Sequence, residues 1–290
     1  MRIMVTGLSS FMGDKLLKEL REGCQILSLG RRELKTNNKN VKYVSFDDSY
    51  LSEKVKEFDP EIFLNIASER KYKLLTVGDY KGIVEFNIAF SSYLVDLAIS
   101  SGVKLIINIS SNWGYLEESD NPKFPNYYAF TKFALDKYLQ NACRLSNCKS
   151  ISLILYDNFD IEDPRGKLFN QILEAIEKKI IRKFSPGKQI LNITRMDEIV
   201  KAIKFTLYNN WDIKNHKYYQ ITGNEISVID LANMISKILN KSNSYMKFGA
   251  LPYRDFEIMK PKYLFEELPF IGKRKISLMQ SFIQELSKNK

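Results

Sequence analysis

Tyr128 and Lys132 stand four residues apart in the segment PNYYAFTKFALDKYL, and they form the clearest candidate pair for chemistry in this chain. Residues i and i+4 of a helix share one face, so the phenol and the ammonium can converge on one point. A neighbouring cation lowers the pKa of a phenol, which would make Tyr128 a usable general acid near neutral pH. The same spacing also occurs by chance as an exposed helix pair, so further residues must support the interpretation.

Two serine hydroxyls provide a second part of the candidate site. The segment KLIINISSNWGY reads as a buried strand that ends in Ser110 and Ser111. Ligand sites of α/β proteins form at the carboxyl ends of the strands of a parallel sheet. We therefore expect these hydroxyls at that edge, together with Tyr128 and Lys132.

The segment VTGLSSFMGDKLLKEL predicts a strand, a turn and a helix that could bind a phosphate. Gly7 permits a tight turn, and Gly13 permits close packing of the helix on the sheet. The amino end of a helix offers unpaired N–H groups and partial positive charge, which suit a pyrophosphate. Ser10 stands where many such loops carry another glycine, and its hydroxyl could donate a hydrogen bond instead. The alternative is a plain strand-to-helix connection.

The end of the second predicted strand indicates which dinucleotide the loop would take. In CQILSLGRRELK, Gly30 occupies the place where NAD-binding proteins carry an acid for the ribose hydroxyls. Arg31 and Arg32 follow, and arginine at this place matches the 2′-phosphate of NADP. A pair of surface arginines is the alternative. The sequence favours NADP, with NADPH as the reduced form.

Strand-like and helix-like segments alternate through the first part of the chain, which predicts a parallel sheet with helices on both faces. The predicted strands are 2–6, 24–29, 41–46, 61–67, 103–110 and 150–156, and the predicted helices are 11–22, 49–58, 81–101 and 127–146.

The alternation of strand-like and helix-like segments becomes less regular after about residue 160. Helices are predicted at 166–182, 197–208 and 228–239, with short strands near 189–193 and 218–222, and Ser227 with Asp230 resembles a capping box. We therefore expect an α/β fold with a Rossmann-like doubly wound parallel sheet. The NADP-binding domain is predicted over residues 1–165. A smaller substrate-binding lobe is predicted over residues 166–290, with parts of 189–222 returning to the main sheet.

Composition excludes several other classes of protein. The net charge is +10 over 290 residues, but the lysines are dispersed, which favours a solvated surface over nucleic-acid binding. A basic surface could also attract an anionic nucleotide sugar. No apolar run approaches the roughly 18 residues of a membrane span, so we expect no such span, and we expect no secretory signal before the first strand. Three cysteines without a disulfide pattern suit the cytoplasm, and a single histidine argues against a metal site.

Together these motifs resemble the extended short-chain dehydrogenase/reductase family, the NAD(P)-dependent epimerases, dehydratases and reductases of nucleotide sugars. The resemblance runs through YQITGNEISVIDLANMI and the final IGKRKISLMQSFIQEL. It implies a catalytic triad of Ser111, Tyr128 and Lys132. For the cofactor it implies Thr6, Gly7, Ser10, Phe11, Met12, Gly13, Arg31, Arg32, Asp47, Ala67, Asn87, Tyr128, Lys132 and Tyr156, and for the substrate Ser110, Asn112, Asn158 and Arg254.

The carboxyl-terminal segment SNSYMKFGALPYRDFEIM most resembles the 4-ketosugar reductases of the CDP-paratose and CDP-abequose synthase type. The resemblance implies an NADPH-dependent reduction of a 4-keto nucleotide deoxysugar for cell-surface polysaccharide. Asn112 and Trp113 stand where a 4,6-dehydratase carries Asp-Glu, so dehydration is disfavoured. A nucleotide-sugar 4-epimerase and a non-catalytic NADP-binding sensor or scaffold remain the alternatives.

The resemblance also implies a homodimer that associates through the helices at 81–101 and 127–146. The apolar residues Phe86, Leu94, Phe133 and Leu139 of these helices are the candidate contacts.

Overall fold

The computed structural model describes residues 1–69, 77–116 and 122–269, together with residues 277, 280, 282, 283 and 286. Contacts divide the chain into two compact units. The first comprises Met1–Ile154, Val200–Gln220 and Leu264–Glu266, and the second comprises Leu155–Ile199, Ile221–Tyr263 and Glu267–Lys290. Most of the final segment 271–286, to which the family resemblance extended, lies outside the described residues.

The described residues form strands and α-helices in the alternating order that the sequence predicts. The strands are β1 (Arg2–Thr6), β2 (Gln25–Gly30), β3 (Val41–Ser45), β4 (Ile62–Asn65), β5 (Leu105–Ser111), β6 (Lys149–Leu155), β7 (Asp157–Phe159), β8 (Arg182–Lys183), β9 (Ile190–Arg195), β10 (His216–Ile221), β11 (Asn224–Ser227), β12 (Met246–Lys247) and β13 (Glu266–Glu267). The helices are α1 (Phe11–Glu19), α2 (Leu51–Phe58), α3 (Val77–Val84), α4 (Ser91–Ser100), α5 (Tyr127–Arg144), α6 (Leu168–Glu177), α7 (Met196–Tyr208) and α8 (Val228–Leu239).

The main sheet has eight strands in the order β13-β10-β6-β5-β4-β1-β2-β3. The pairs β1–β2, β1–β4, β2–β3 and β4–β5 are parallel. This is the strand order of a doubly wound sheet, which reverses direction between β1 and β4. The Rossmann-like prediction is therefore confirmed. Strand β4 illustrates this arrangement, because all four of its residues are buried, as expected for a strand covered by helices on both faces.

The predicted helix at 81–101 is longer than expected and contains a π-helical turn, Glu85–Phe90, between α3 and α4. The stretch Tyr80–Ser100 is long and apolar enough to cross a membrane by length and composition alone, so the expectation that no such run exists was wrong. Its apolar face packs in the core of the first unit through Leu94, Val95, Leu97 and Ala98. Since one face of the stretch packs in the core, its length and composition alone are weak evidence for a membrane span.

Two of the four residues named as candidate dimer contacts face the core instead of a surface. Leu94 is 2% exposed and Leu139 is fully buried, and both belong to the hydrophobic cluster of the first unit. Both residues lie on helix faces that pack against the core, so they are not available to contact a second copy of the chain. Phe86 and Phe133 are partly exposed.

The second unit contains a three-stranded sheet, β11-β9-β7, and a two-stranded sheet, β12-β8. The predicted strand at 189–193 corresponds to β9, which pairs with β7 in this small sheet. Strand β7 thus belongs to the second unit, which begins at Leu155. Its core is built around Phe159, Phe169 and Phe282.

Two helix ends in the second unit show how local residues set the boundaries. Ser227 caps α8, accepting a hydrogen bond of 3.0 Å from the main-chain N–H of Asp230, as the capping-box pattern predicts. Helix α6 ends at Glu177, five residues before the predicted end. Lys179 takes a left-handed conformation with φ of 59°, which stops the helix before β8.

Candidate active site

The loop between β1 and α1 has the close packing that its glycines predicted. Gly7 has φ of +81°, and a Cβ atom there would lie 2.7 Å from the main-chain nitrogen of Ala67. A Cβ atom on Gly13 would lie 2.3 Å from the carbonyl oxygen of Gly7. Only glycine fits at either position, because backbone and not a flexible side chain occupies the space. The loop thus packs closely at the start of a helix, an arrangement that suits a pyrophosphate, and we call it the phosphate cradle.

Ser10, which stands where many such loops carry another glycine, is the N-cap of α1. Its Oγ accepts a hydrogen bond of 3.1 Å from the main-chain N–H of Gly13, and its own N–H donates to the Gly7 carbonyl at 3.0 Å. The capping bond uses the oxygen as an acceptor, so the hydroxyl proton can still point to a ligand. Ser10 is exposed, whereas Met12 behind it is buried and Phe11 lies under the Lys15 ammonium.

Thr6 connects this loop with the next strand of the sheet. Its Oγ1 donates to Asn65 Oδ1 at 2.7 Å and accepts the N–H of Ala67 at 3.2 Å. Strands β1 and β4 are neighbours on either side of the reversal point, where ligands of doubly wound sheets bind. The hydrogen bond between Thr6 and Ala67 thus joins the ends of β1 and β4 beside the phosphate cradle.

The residues predicted for the adenosine side lie after β2 and β3. Arg31 donates from Nη2 to Glu69 Oε2 at 2.9 Å, and its guanidinium carbon lies 5.2 Å from the centre of the Phe86 ring. Arg32 is exposed. Asp47 is also exposed, and its N–H donates to Ser45 Oγ at 3.3 Å.

Asn87, in the π-helical turn, connects Glu69, which lies beside the predicted cofactor residue Arg31, to helix α5. Its Oδ1 accepts the N–H of Glu69 at 2.7 Å, and its Nδ2 donates to the Glu69 carbonyl and to Thr131 Oγ1, both at 3.0 Å. Thr131 Oγ1 in turn donates to the carbonyl of Tyr128 at 3.0 Å. A π-helical turn often marks a functional position, and here it brings a buried amide between two parts of the site.

Tyr128 and Lys132 lie one helical turn apart on the buried face of α5, as predicted. Asn126 caps the helix by accepting the N–H of Ala129 at 2.9 Å. The Lys132 ammonium lies 6.0 Å from the centre of the Tyr128 ring and donates to the carbonyl of Ile109 at 2.7 Å. Burial of both side chains strengthens the electrostatic interaction between them relative to an exposed pair.

Ser110 and Ser111 have different surroundings although they are adjacent. Ser110 is buried and donates to a carboxylate oxygen of Asp136. Ser111 is half-buried, and its Oγ accepts the N–H of Trp113 at 3.4 Å at the start of a 3-10 turn, Asn112–Gly114. The alternation of a strand explains the difference, since neighbouring side chains point to opposite faces. Asn112 is buried in the turn.

Asp136, a fully buried carboxylate four residues after Lys132 on α5, was not predicted from the sequence. It accepts hydrogen bonds from Asn108 Nδ2 and the Tyr115 hydroxyl, each at 2.8 Å, and from Ser110 and Ser152. Burial, and next the nearby Asp136 charge, raise the pKa of Tyr115 far above its usual value, so this hydroxyl stays a donor. Extending the i, i+4 series beyond Lys132 could have found this residue.

The remaining predicted residues lie in the second unit. The Tyr156 hydroxyl donates to the carbonyl of Lys262 at 2.6 Å, and burial raises its pKa. Asn158 accepts a hydrogen bond on Oδ1 from the Lys167 ammonium. Arg254 is exposed, and none of the ion pairs among the described residues includes it. Lys167 is the second residue that sequence analysis missed, because only the folded chain brings it to Asn158.

The first unit thus assembles a phosphate cradle, a phenol–ammonium pair and serine hydroxyls at one edge of a parallel sheet. Such a set suits transfer of a hydride from a bound dinucleotide with proton donation by the phenol. Over the described residues, no group of three or more His, Cys, Asp and Glu side chains is placed to hold a metal ion.

Comparison with known proteins agrees with this arrangement. The model of the NAD dependent epimerase/dehydratase family matches residues 3–222. A CDP-abequose synthase of Yersinia pseudotuberculosis is 26% identical over 272 residues, covering 92% of this chain and 94% of that protein. A second CDP-abequose synthase, from Salmonella typhimurium, is 25% identical over 266 residues, covering 89% of this chain and 87% of that protein.

A solved structure supports the fold independently. UDP-glucuronic acid 4-epimerase from Bacillus cereus, in complex with UDP-glucuronic acid and NAD, matches with a TM-score of 0.80 and 16% identity, covering 98% of this chain and 97% of that one. The residues matched by the family model include the glycine loop, the two serines that end β5 and the Tyr128–Lys132 pair. The chain therefore belongs to the NAD dependent epimerase/dehydratase family.

Proposed function

We propose that this protein reduces the 4-keto group of a nucleotide-activated deoxysugar with NADPH. The observation that carries the proposal is the buried Tyr128–Lys132 pair, which the Lys132–Ile109 hydrogen bond joins to β5, the strand that ends in Ser111. The two CDP-abequose synthase relatives support a nucleotide sugar as the substrate, and the NAD bound by the solved 4-epimerase supports a nicotinamide dinucleotide.

In the proposed reaction the dinucleotide, when bound, supplies a hydride to the carbonyl carbon of the sugar. Tyr128 donates its phenolic proton to the carbonyl oxygen as negative charge forms there. Ser111 donates a hydrogen bond to the same oxygen, and such donors typically contribute a factor of about 10²–10³ each. Lys132 stabilises the phenolate that Tyr128 becomes and orients the ribose of the dinucleotide. A proton from solvent then restores Tyr128.

The residues after Ser111 argue against elimination of water. Asn112 is buried within the 3-10 turn, and the Trp113 N–H donates to Ser111 Oγ, so no carboxylate pair follows the serine. Net reduction is preferred to epimerisation because Arg31 offers a guanidinium for the 2′-phosphate of NADPH. An epimerase would regenerate its dinucleotide in each turnover.

Turnover with defined substrates tests the proposal. The protein is incubated with NADPH and, in turn, the 4-keto deoxysugars of CDP, dTDP, GDP and UDP, while NADPH absorbance and sugar products are followed. We expect one NADPH consumed for each alcohol formed with one of these substrates, and consumption about 10²-fold slower or more in Tyr128→Phe. Interconversion of 4-hydroxy sugars without net NADPH consumption would identify an epimerase. Binding of NADPH without turnover of any sugar would favour a sensor or scaffold.

We also propose a cytoplasmic homodimer, as the family resemblance implies. Because Leu94 and Leu139 face the core, the contacts would involve exposed side chains of the same helices, of which Tyr93 on α4 is 45% exposed. Light scattering of the protein and of Tyr93→Glu tests this arrangement. A dimer that the charge dissociates is expected, and a monomeric parent protein would contradict it.

A further inference from the structure

We propose that Glu69 sets the coenzyme preference of this protein by holding the Arg31 guanidinium that the 2′-phosphate of NADPH would bind. The inference rests on the proposed coenzyme site and extends it. The arginine pair alone predicts a preference for NADPH, whereas the carboxylate beside it opposes that preference.

The two side chains form an ion pair after the carboxyl ends of β2 and β4. Arg31 Nη2 lies 2.9 Å from Glu69 Oε2. The arginine side chain is 64% exposed and the glutamate side chain 26% exposed. The guanidinium also lies against the Phe86 ring, at 5.2 Å from its centre. The guanidinium is thus accessible to a ligand, but a carboxylate already accepts a hydrogen bond from one of its nitrogens.

Hydrogen bonds hold the main chain of Glu69 beside Arg31, so the carboxylate stays within reach of the guanidinium. Both the N–H and the carbonyl of Glu69 bond to the amide of Asn87, at 2.7 and 3.0 Å. Asn87 is itself buried and bonded to Thr131 of α5. Displacement of the Glu69 main chain would break two hydrogen bonds to this buried amide.

A bound 2′-phosphate must therefore compete with Glu69 for Arg31. Either the arginine leaves the glutamate, or the phosphate binds beside a carboxylate of like charge. NADH carries a 2′-hydroxyl in place of the phosphate, so its binding does not require the ion pair to open. Glu69 consequently weakens NADPH binding and leaves NADH binding almost unchanged.

Calorimetric titration with NADPH and with NADH, in the absence of any sugar, tests the inference. The proteins compared are the parent chain, Glu69→Gln, Arg31→Ala and the double variant. Glu69→Gln is expected to tighten NADPH binding about 2- to 5-fold, the range for release of a partly exposed ion pair. NADH affinity should stay within about 1.5-fold. In the Arg31→Ala background the gain for NADPH should disappear, because no guanidinium remains to be released.

Glu266→Gln is the matched control, because Glu266 forms an exposed ion pair of 2.9 Å with Lys217 at the opposite end of the main sheet. It removes the same charge and should change neither affinity. Equal gains for NADPH and NADH in Glu69→Gln, or a gain that persists without Arg31, would overturn the inference. These titrations involve no turnover, so absence of ketoreduction would contradict the proposed reaction without affecting this result.

Discussion

The Lys132 ammonium lies 2.7 Å from the carbonyl oxygen of Ile109, two residues before Ser111 on β5. This bond joins the helix that carries Tyr128 to the strand that carries the serine. A lysine ammonium has three donors and no acceptor, so the bond to the strand is one of several that Lys132 can make. The relative position of phenol and hydroxyl therefore depends on a direct contact between α5 and β5.

Replacing Tyr128 by phenylalanine removes the proposed acid while keeping the ring. Turnover should fall about 10²-fold or more, as expected when a general acid is lost. Dinucleotide affinity should change little, because the phenol acts mainly on the transition state. Single-turnover kinetics with an accepted sugar, and a separate titration with NADPH, measure the two effects. Tyr127→Phe is the matched control, since Tyr127 is adjacent but 47% exposed. Near-normal turnover of Tyr128→Phe would remove this residue from the catalytic role.

The central strands were predictable within one or two residues because each is a short, almost wholly apolar run. The short strands β7, β8, β11 and β12 were not predicted. Two to four residues give too little periodicity, and their pairing depends on contacts with distant parts of the chain. The capping residues Ser10, Asn126 and Ser227 act on neighbours in sequence, and Ser227 was recognised for that reason.

The candidate site likewise has one part that local sequence spacing predicts and another that only the folded chain brings together. Tyr128, Lys132 and Asp136 follow one helical period, so local spacing places them on one face. The pairing of Arg31 with Glu69 joins residues that are 38 positions apart. It arises from the neighbouring strand ends and from the π-helical turn around Asn87. No local pattern in the sequence signals either feature.

The single histidine, His216, should make the stability of the protein depend on pH. Burial lowers the pKa of His216 to about 4, with Lys137 acting in the same direction and Asp136 against it. Its Nδ1 lies 2.7 Å from Ser150 Oγ, and its ring packs edge-on against Tyr218. Between the unfolded value near 6.5 and the folded value near 4, the unfolded chain binds the additional proton. The free energy of unfolding should therefore decrease as the pH falls through this window.

The decrease due to His216 should be on the order of 2–3 kcal/mol, since each pKa unit corresponds to about 1.4 kcal/mol. Chemical unfolding between pH 7 and 4 measures it, and His216→Gln should flatten the profile. Asp157 acts in the opposite sense, because burial raises its pKa to about 6 and favours the folded state at low pH. Asp157→Asn in both backgrounds separates the two groups. An unchanged profile in His216→Gln would contradict the assignment.

Ser10→Ala tests whether the serine in the glycine loop binds the dinucleotide or only caps α1. Loss of an N-cap typically costs about 1 kcal/mol of stability. If the hydroxyl also donates to a phosphate, dinucleotide affinity should fall about 10-fold, at the lower end for a bond to a charged group. Ser227→Ala removes an equivalent cap from α8 and should lower stability alone. Equal dinucleotide affinities in the two variants would limit Ser10 to capping.

Arg254→Ala tests the proposed contact with the nucleotide diphosphate. A charge-assisted bond contributes about 1.5–3 kcal/mol, which corresponds to an increase in KM of very roughly 10- to 150-fold. The turnover number should change less, because the phosphates are remote from the reacting carbon and bind equally in the ground and transition states. Lys260→Ala is the matched control, since Lys260 is another exposed cation of the same carboxyl-terminal segment. Steady-state kinetics of both variants, with thermal melts to detect misfolding, give the comparison. An unchanged KM in folded Arg254→Ala, or the same increase in Lys260→Ala, would exclude a specific contact and leave only general attraction by the basic surface.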